Sequence, residues 1–328
     1  MRICIIGDCT GNLDEGMKNT TFNLFHELSK KNEVQLLNPR NVFSKDFWKS
    51  LKHFNPTITH YIMGPSILSF TIVKCIGVYC KNTKTIMSIT HPQFLVSNKL
   101  ISLLKPDLTL VHSTDREIMF RKLGFKTKFV PNGVDVNKFR PVSHEIKMKY
   151  RDRYGIEKDK FIILHVGNIR KGRNIKVFKK IQQENNQVII IGSTSVKVEK
   201  DVYKDLINSG CLVWVKYFKN INEIYALSDC YVFPVVNRVR CIESPLSVME
   251  AMACNLPVIT TRFGMLPRLF NKKNGVTFVK NEHDIIDEVR KIKNSNIKIN
   301  TREIVSLYSW GNICNNLEKV YVNLLEQA

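Results

Sequence analysis

The sequence predicts an α/β protein of two domains, each a parallel sheet with helices on both faces. Three observations predict it. Strand-like and helix-like runs alternate through the N-terminal half. The alternation starts afresh at Phe161, where a new apolar strand runs into a glycine-containing polar loop. A chain of 328 residues is also long enough for two domains of ordinary size, each burying its own core.

Taken in order, Arg2–Ile6 is a buried strand stopped by Gly7. The polar loop 8–16, with Gly11 and Gly16, leads into a helix over residues 17–30, where Phe22, Leu24, Phe25 and Leu28 recur at helical spacing. Further strands are expected at Glu33–Leu37 and at residues 58–63, 85–89, 108–112 and 128–130. Helices are expected between them at 45–53, 67–80, 94–104 and 115–123, the last ended by Gly124. Residues 142–159 are charged and helical in pattern. The second half reads as strand Phe161–Val166, loop 167–174, strand 187–191, helix 201–208, strand Leu212–Val215, helix 222–227, strand 230–235, helix 245–254, strand 257–261 and helix 284–293. A last helix covers 309–325. No low-complexity segment or solenoid repeat interrupts the pattern.

Apolar residues make up 44% of the chain and charged residues 24%, both ordinary. The net charge of +21 is not, and it points to anionic partners: nucleotides, nucleic acid or an acidic membrane. A nucleic-acid partner is not expected, because no basic stripe is interleaved with aromatics. Nine cysteines without a Cys-x-x-Cys pair fit reduced thiols and a cytoplasmic location better than disulfides or a zinc site. The chain opens on a strand rather than a signal peptide. Residues 67–80, the most apolar stretch, contain Lys74 and are too short to span a bilayer. From Phe47 to Pro106 there is no Asp or Glu, while Lys49, Lys52, Lys74, Lys81, Lys84, Lys99 and Lys105 are present; the apolar stretch and Phe94-Leu95 lie inside that run. Such a run suits peripheral contact with an anionic membrane surface, and equally suits ordinary sheet-covering helices with solvated lysine tips.

The chemistry concentrates in residues 241–261: Cys-Ile-Glu-Ser-Pro-Leu-Ser-Val-Met-Glu-Ala-Met-Ala-Cys-Asn-Leu-Pro-Val-Ile-Thr-Thr. Glu243 lies in a turn, Ser244 can cap a helix starting at Pro245, and Glu250 falls within that helix's first two turns. The free N–H groups of Leu246 and Ser247 at the helix start favour a diphosphate, and a carboxylate at Glu250 accepts from sugar hydroxyls. An amphipathic helix with an exposed Glu accounts for the same residues. The loop Gly167-Asn-Ile-Arg-Lys-Gly-Arg-Asn174 places Gly167, Arg170, Lys171 and Arg173 between a strand and a helix. That composition suits phosphate oxygens, as it also suits a solvated basic loop. Gly16 closes a loop that reads either as an anion cradle or as a turn needing positive φ. His91 follows a strand at the carboxyl edge of its sheet, where parallel-sheet proteins bind ligands, although a lone His is more often structural.

Glu-Ala-Met-Ala-Cys-Asn-Leu-Pro-Val-Ile-Thr-Thr closely resembles the donor-site signature of the family 4 (group 1) retaining glycosyltransferases, which have the GT-B fold. Val130-Pro-Asn-Gly-Val-Asp-Val-Asn-Lys-Phe-Arg-Pro141 resembles that family's interdomain passage, and Ser228-Asp-Cys-Tyr-Val-Phe-Pro234 also resembles it. The resemblance implies two Rossmann-like domains facing a cleft: residues 1–141 holding the acceptor, residues 142–308 holding a nucleotide-sugar, and a C-terminal helix, 309–328, returning to the first domain. It implies transfer of a sugar from a nucleoside-diphosphate-sugar to a glycan or lipid-linked acceptor with retention of anomeric configuration. It implies no cofactor and no metal, in keeping with the absence of an Asp-x-Asp. By resemblance Glu250 holds the ribose, Gly16 faces the donor phosphate, Arg173 or Lys171 neutralises the leaving diphosphate with Arg170 in support, and His91 lies near the reacting carbon. Three positions depart from the pattern. Ile242 stands at the place of the first Glu, which in the family touches the donor sugar, and Glu243, displaced by one, is the catalytic carboxylate expected in its stead; Asn168 stands at an expected Arg, and Glu15 replaces the first glycine of a pair. Other readings of the same residues are a nucleotide-sugar epimerase of this fold, a binding protein that has lost catalysis, and a nucleic-acid binder suggested by charge alone.

Overall fold

A computed structural model describes residues 1–91, 98–183, 185–236, 241–295 and 299–327. The chain alternates strand and helix throughout. In order come β1 (Arg2–Ile6), α1 (Gly16–Leu28), β2 (Glu33–Leu37), α2 (Lys45–Phe54), β3 (Ile58–Gly64), α3 (Ile67–Tyr79), β4 (Lys84–Ile89), α4 (Asn98–Leu103), β5 (Leu108–Val111), α5 (Thr114–Lys122) and β6 (Thr127–Phe129). Then follow α6 (His144–Arg153), β7 (Phe161–Val166), α7 (Phe178–Ile181), β8 (Asn186–Gly192), α8 (Lys200–Asn208), β9 (Leu212–Val215), α9 (Ile221–Leu227), β10 (Cys230–Phe233), α10 (Leu246–Ala253), β11 (Val258–Thr261), α11 (Leu266–Leu269), β12 (Val276–Val279), α12 (Glu282–Lys293), α13 (Thr301–Ser306) and α14 (Trp310–Glu326).

The strands form two six-stranded sheets, ordered β2-β1-β3-β4-β5-β6 and β12-β11-β10-β7-β8-β9. Every pairing is parallel; Ile3, for example, lies opposite Val34 on one side and Ile58 on the other. Central strands such as β10 and β11 are buried along their whole length, which is why they read as continuous apolar runs rather than alternating ones. The chain divides into two units. The first comprises Met1–Gly133, Arg238–Ser244 and Trp310–Ala328; the second comprises Val134–Asn237 and Pro245–Ser309.

The change of unit falls after Gly133, ahead of the boundary read at Pro141. The intervening residues are held by the second unit. Val134 N–H donates to the Tyr308 carbonyl, Phe139 stacks edge-on against Tyr225, and the Arg302 guanidinium donates to the carbonyls of Val136 and Phe139. In the first unit α14 packs on α1. Its Tyr321 hydroxyl pairs with His60 Nδ1 on β3 at 2.7 Å, while His60 Nε2 pairs with Ser88 on β4 at 2.7 Å. That buried chain of polar groups fixes the last helix against the sheet.

One difference from the sequence reading has a local cause. The helix opening the 241–261 motif begins at Leu246, not Pro245, and Ser244 does not cap it: the Ser244 hydroxyl instead accepts from the Asn132 backbone N–H at 2.8 Å. The helix read over 94–104 is present as α4; Phe94, Leu95 and the Lys99 side chain lie outside the described residues. The short helices α7, α11 and α13 had no clear periodic signal, since fewer than two turns cannot display one.

Candidate active site

In the second unit the strand order runs β9-β8-β7 one way and β10-β11-β12 the other, so the topology reverses between β7 and β10. Ligands of open α/β sheets bind outside the carboxyl ends of strands at such a point. The loop 167–174 leaves β7 there, and β10 leads toward α10. Gly167 sits where no other residue fits easily: a Cβ on it would come 3.0 Å from His165 Nε2. After it, Lys171 to Arg173 form a single 3-10 turn closed by Asn174 in the left-handed region. The Lys171 amide donates to the Glu199 carboxylate at 3.0 Å, which anchors the loop, and the Lys171 side chain is exposed. Arg170 and Arg173 are half-buried.

His165, beneath this loop, is a residue the sequence reading passed over. It is buried among Phe178, Tyr231 and Phe233. Its Nδ1 donates to the Val232 carbonyl at 3.0 Å, so in the neutral ring Nε2 is an acceptor, and it has no hydrogen-bond partner among the described residues. Burial, with the nearby Arg173 charge, lowers its pKa to about 4 and keeps the ring neutral.

No side chain caps α10, so its first amides, those of Leu246 and Ser247 among them, carry no anionic partner from a capping residue. One turn on, Glu250 is partly buried and accepts a 2.7 Å hydrogen bond from the Tyr225 hydroxyl on α9. Burial raises the Glu250 carboxyl above its ordinary range, and the Tyr225 bond and the Lys138 charge pull it back. Tyr225 is itself fully buried, and burial and the Glu250 charge push its phenol up. It reads as a core aromatic in the sequence, yet its hydroxyl sets the direction of the Glu250 carboxylate.

The first unit gathers a different set. The topology reverses between β1 and β3. The loop after β1 does not present an open helix start: Glu15 caps α1 with its own carboxylate, accepting from the amides of Met17 and Lys18 at 3.4 and 3.3 Å. Two amides at this helix start, those of Met17 and Lys18, thus already bind an acid. Gly16 packs closely on Ile242: a Cβ there would lie 2.5 Å from Ile242 Cδ1, so that side chain would have to shift.

Glu243, read as a catalytic carboxylate, has no exposed surface. It accepts from the Ser113 hydroxyl at 2.9 Å and lies 3.5 Å from Arg116 Nε; its amide donates to the Thr90 carbonyl at 3.0 Å. The last bond brings it beside His91, which follows β4. His112, at the end of β5, is buried; burial, then the neighbouring His91, lowers its pKa to about 4. The structure thus places Gly167, Arg170, Lys171, Arg173, Leu246, Ser247 and Glu250 in the second unit, and Gly16, His91 and Glu243 in the first. No cluster of three or more metal-ligating side chains occurs among the described residues.

Residues 147–306 match the family model described as glycosyl transferases group 1. The protein carries a group 1 glycosyltransferase domain. That match takes in the whole run from β7 to α13, including the loop 167–174, Tyr225 and Glu250. Among curated proteins, the chain is 28% identical to an uncharacterized glycosyltransferase of Methanocaldococcus jannaschii over 75% of its length and 65% of the relative's. It is 23% identical to an Escherichia coli UDP-Gal:alpha-D-GlcNAc-diphosphoundecaprenol alpha-1,3-galactosyltransferase over 62% of its length and 53% of the relative's. The chain matches the structure of sucrose-phosphate synthase of Thermosynechococcus elongatus with a TM-score of 0.78 at 15% identity, all of both chains covered. It matches that of Anabaena HepE, solved with UDP-glucose, with a TM-score of 0.77 at 13% identity, covering 98% of this chain and 100% of that one. The fold is that of the GT-B glycosyltransferases.

Proposed function

We propose that the protein transfers a sugar from a nucleoside-diphosphate-sugar to a glycan or lipid-linked acceptor, with retention of anomeric configuration and without a metal. The observation that carries this reading is in the second unit: a basic loop and an uncapped helix start follow the two strands flanking the topological reversal, with a carboxylate held one turn inside that helix. The amides of Leu246 and Ser247 and the side chains of Arg170, Lys171 and Arg173 bind the diphosphate. Glu250, oriented by Tyr225, accepts from the ribose hydroxyls. The barrier is departure of the diphosphate: the bond from the anomeric carbon to the diphosphate oxygen breaks, and one to the acceptor oxygen forms on the same face. The acceptor proton passes to the departing diphosphate. Preorganised cations and N–H groups stabilise the charge that develops there.

The relatives named above support a donor of this class, one being a UDP-galactose-dependent enzyme and one solved with UDP-glucose. The first unit then holds the acceptor, near His91. Nine free thiols, seven of them buried, favour a reducing compartment. The test is a melting-temperature screen of nucleoside diphosphates and their sugars, followed by product analysis by NMR. A donor that raises the melting point of the wild type but not of Arg173→Ala or Glu250→Ala, and a product with the donor's anomeric configuration formed in the presence of EDTA, support the reading. An inverted product or a requirement for metal rejects the mechanism.

One observation favours a second reading, a nucleotide-sugar-binding protein without transferase activity. Ile242 occupies the place of the first motif carboxylate, and Glu243 is buried against Ser113. Donor binding with neither transfer nor hydrolysis would establish it.

A further inference from the structure

α2 and α3 form one layer on the first unit's sheet, burying Phe47, Leu51, Ile72, Val73 and Ile76 against Cys4, Ile6 and Tyr61. Their outward face has an unusual composition. On α2, Lys45, Lys49 and Lys52 recur at helical spacing and are all exposed. On α3 and just beyond it, Lys74 and Lys81 are exposed as well. Between them stand apolar side chains: Phe43 is 83% exposed, Leu68 52% and Val78 68%. α3 is apolar nearly all round, a composition expected of a helix covered on every side, yet its outer face meets solvent.

The charged and apolar groups are interleaved. Tyr79 packs edge-on to Trp48 at 5.3 Å between ring centres, and the Lys52 ammonium lies 5.5 Å above the Tyr79 ring. Asp46 is the only acidic side chain on the two helices. The structure also sorts the lysines of the acid-free run: Lys84 is half-buried at the start of β4, and Lys105 is half-buried over the Phe125 ring, so neither is among the exposed lysines of α2 and α3. Lys45, which precedes the run, does belong.

We propose that this α2–α3 face docks on an anionic lipid bilayer, with the lysines at the lipid phosphates and Phe43, Val78 and Tyr79 entering the headgroup layer. Exposed lysines alone would suit any polyanion. Lysines set among exposed aliphatic and aromatic side chains match a surface that is anionic outside and apolar beneath. No helix among the described residues is long and apolar enough to cross a membrane, so the contact is peripheral. It stands whether or not the second unit transfers a sugar.

The experiment is sedimentation of the full chain with vesicles of phosphatidylcholine alone and of phosphatidylcholine mixed with phosphatidylglycerol. Binding is expected to the mixed vesicles only, and to weaken with salt. Each lysine near an anionic surface contributes about fivefold in affinity, so the triple variant Lys45→Glu, Lys49→Glu, Lys52→Glu should bind at least about tenfold more weakly. Phe43→Ser with Val78→Ser should weaken binding to the same vesicles without changing net charge. The control Lys272→Glu, Lys273→Glu, Lys280→Glu, on exposed lysines of the second unit, should bind as wild type. Equal binding to both vesicle types, no binding to either, an equal loss in the control, or full binding by the triple variant overturns the proposal.

Discussion

The two units share an architecture and differ in what they place at its functional edge. Each has a six-stranded parallel sheet with a topological reversal. In the first, the start of α1 is capped by Glu15, and the carboxylate of Glu243 is enclosed by Ser113 and Arg116. In the second, the start of α10 has no capping side chain, and the nearby loop carries Arg170, Lys171 and Arg173. One helix start meets a carboxylate of its own chain, and the other lacks a capping side chain and lies near a loop rich in basic residues. Helix dipoles and free amides attract an anion where no carboxylate of the chain already meets them, and that distinguishes the two helix starts.

The sharpest way to break this comparison is to remove the cation on which the second edge depends. Arg173→Ala should lower turnover by about a hundred- to a thousandfold, as expected when one group stabilising a leaving charge is lost; steady-state kinetics with the donor found by the melting screen would measure it. An effect below about threefold would place the leaving group elsewhere. Glu250→Gln should follow, weakening donor binding by about tenfold or more, because a charge-assisted acceptor for sugar hydroxyls is replaced by a neutral one.

Glu243→Ala tests the first edge by stability rather than rate. Breaking a buried ion pair by removing one partner typically costs about 3–5 kcal/mol, so its midpoint in urea should fall well below that of the wild type. Glu243→Gln, which can still accept from Ser113, should retain most of the turnover. If Glu243→Gln instead abolished activity at unchanged stability, this carboxylate would be catalytic and the contrast between the edges would fail. Tyr225→Phe should be milder, raising the donor KM by about five- to tenfold through a less firmly oriented Glu250.

The last expected effect is on acid stability. His60, His112 and His165 are held neutral by burial, with pKa values of about 3, 4 and 4. Their pKa values in the folded chain lie below the unfolded value, so between about pH 6.5 and 4 the unfolded chain binds more protons. Stability from these groups is complete above pH 6.5 and is lost as pH falls toward 4. Melting curves across that range should show the decline, and His112→Gln should flatten it. A melting temperature constant from pH 7 to 4 would contradict it.

Much of the fold was legible in the linear sequence. β1, β2, β7 and β9 begin and end where the apolar runs and their flanking residues place them. Parallel strands buried on both faces leave that mark, and helices such as α1 and α12 show their period. The residues proposed to bind the donor were visible for a similar reason: Gly167, Arg173 and Glu250 lie within short, contiguous motifs whose order fixes strand, loop and helix. Tyr225 and His165 were not legible as site residues. Both look like core side chains, and their polar atoms find partners only in residues distant in sequence, Glu250 in one case and Val232 in the other.

The sequence by itself determined the alternation of elements, the family of the second unit and the positions of its basic loop and helix start, because each depends on neighbours within a few residues. The tertiary structure alone decided the fate of the acids. Glu243 and Glu250 stand seven residues apart in one motif. One is enclosed by Ser113 and Arg116, and the other is steered by Tyr225. A carboxylate's function depends on which donors and cations surround it, and those are brought together only by folding.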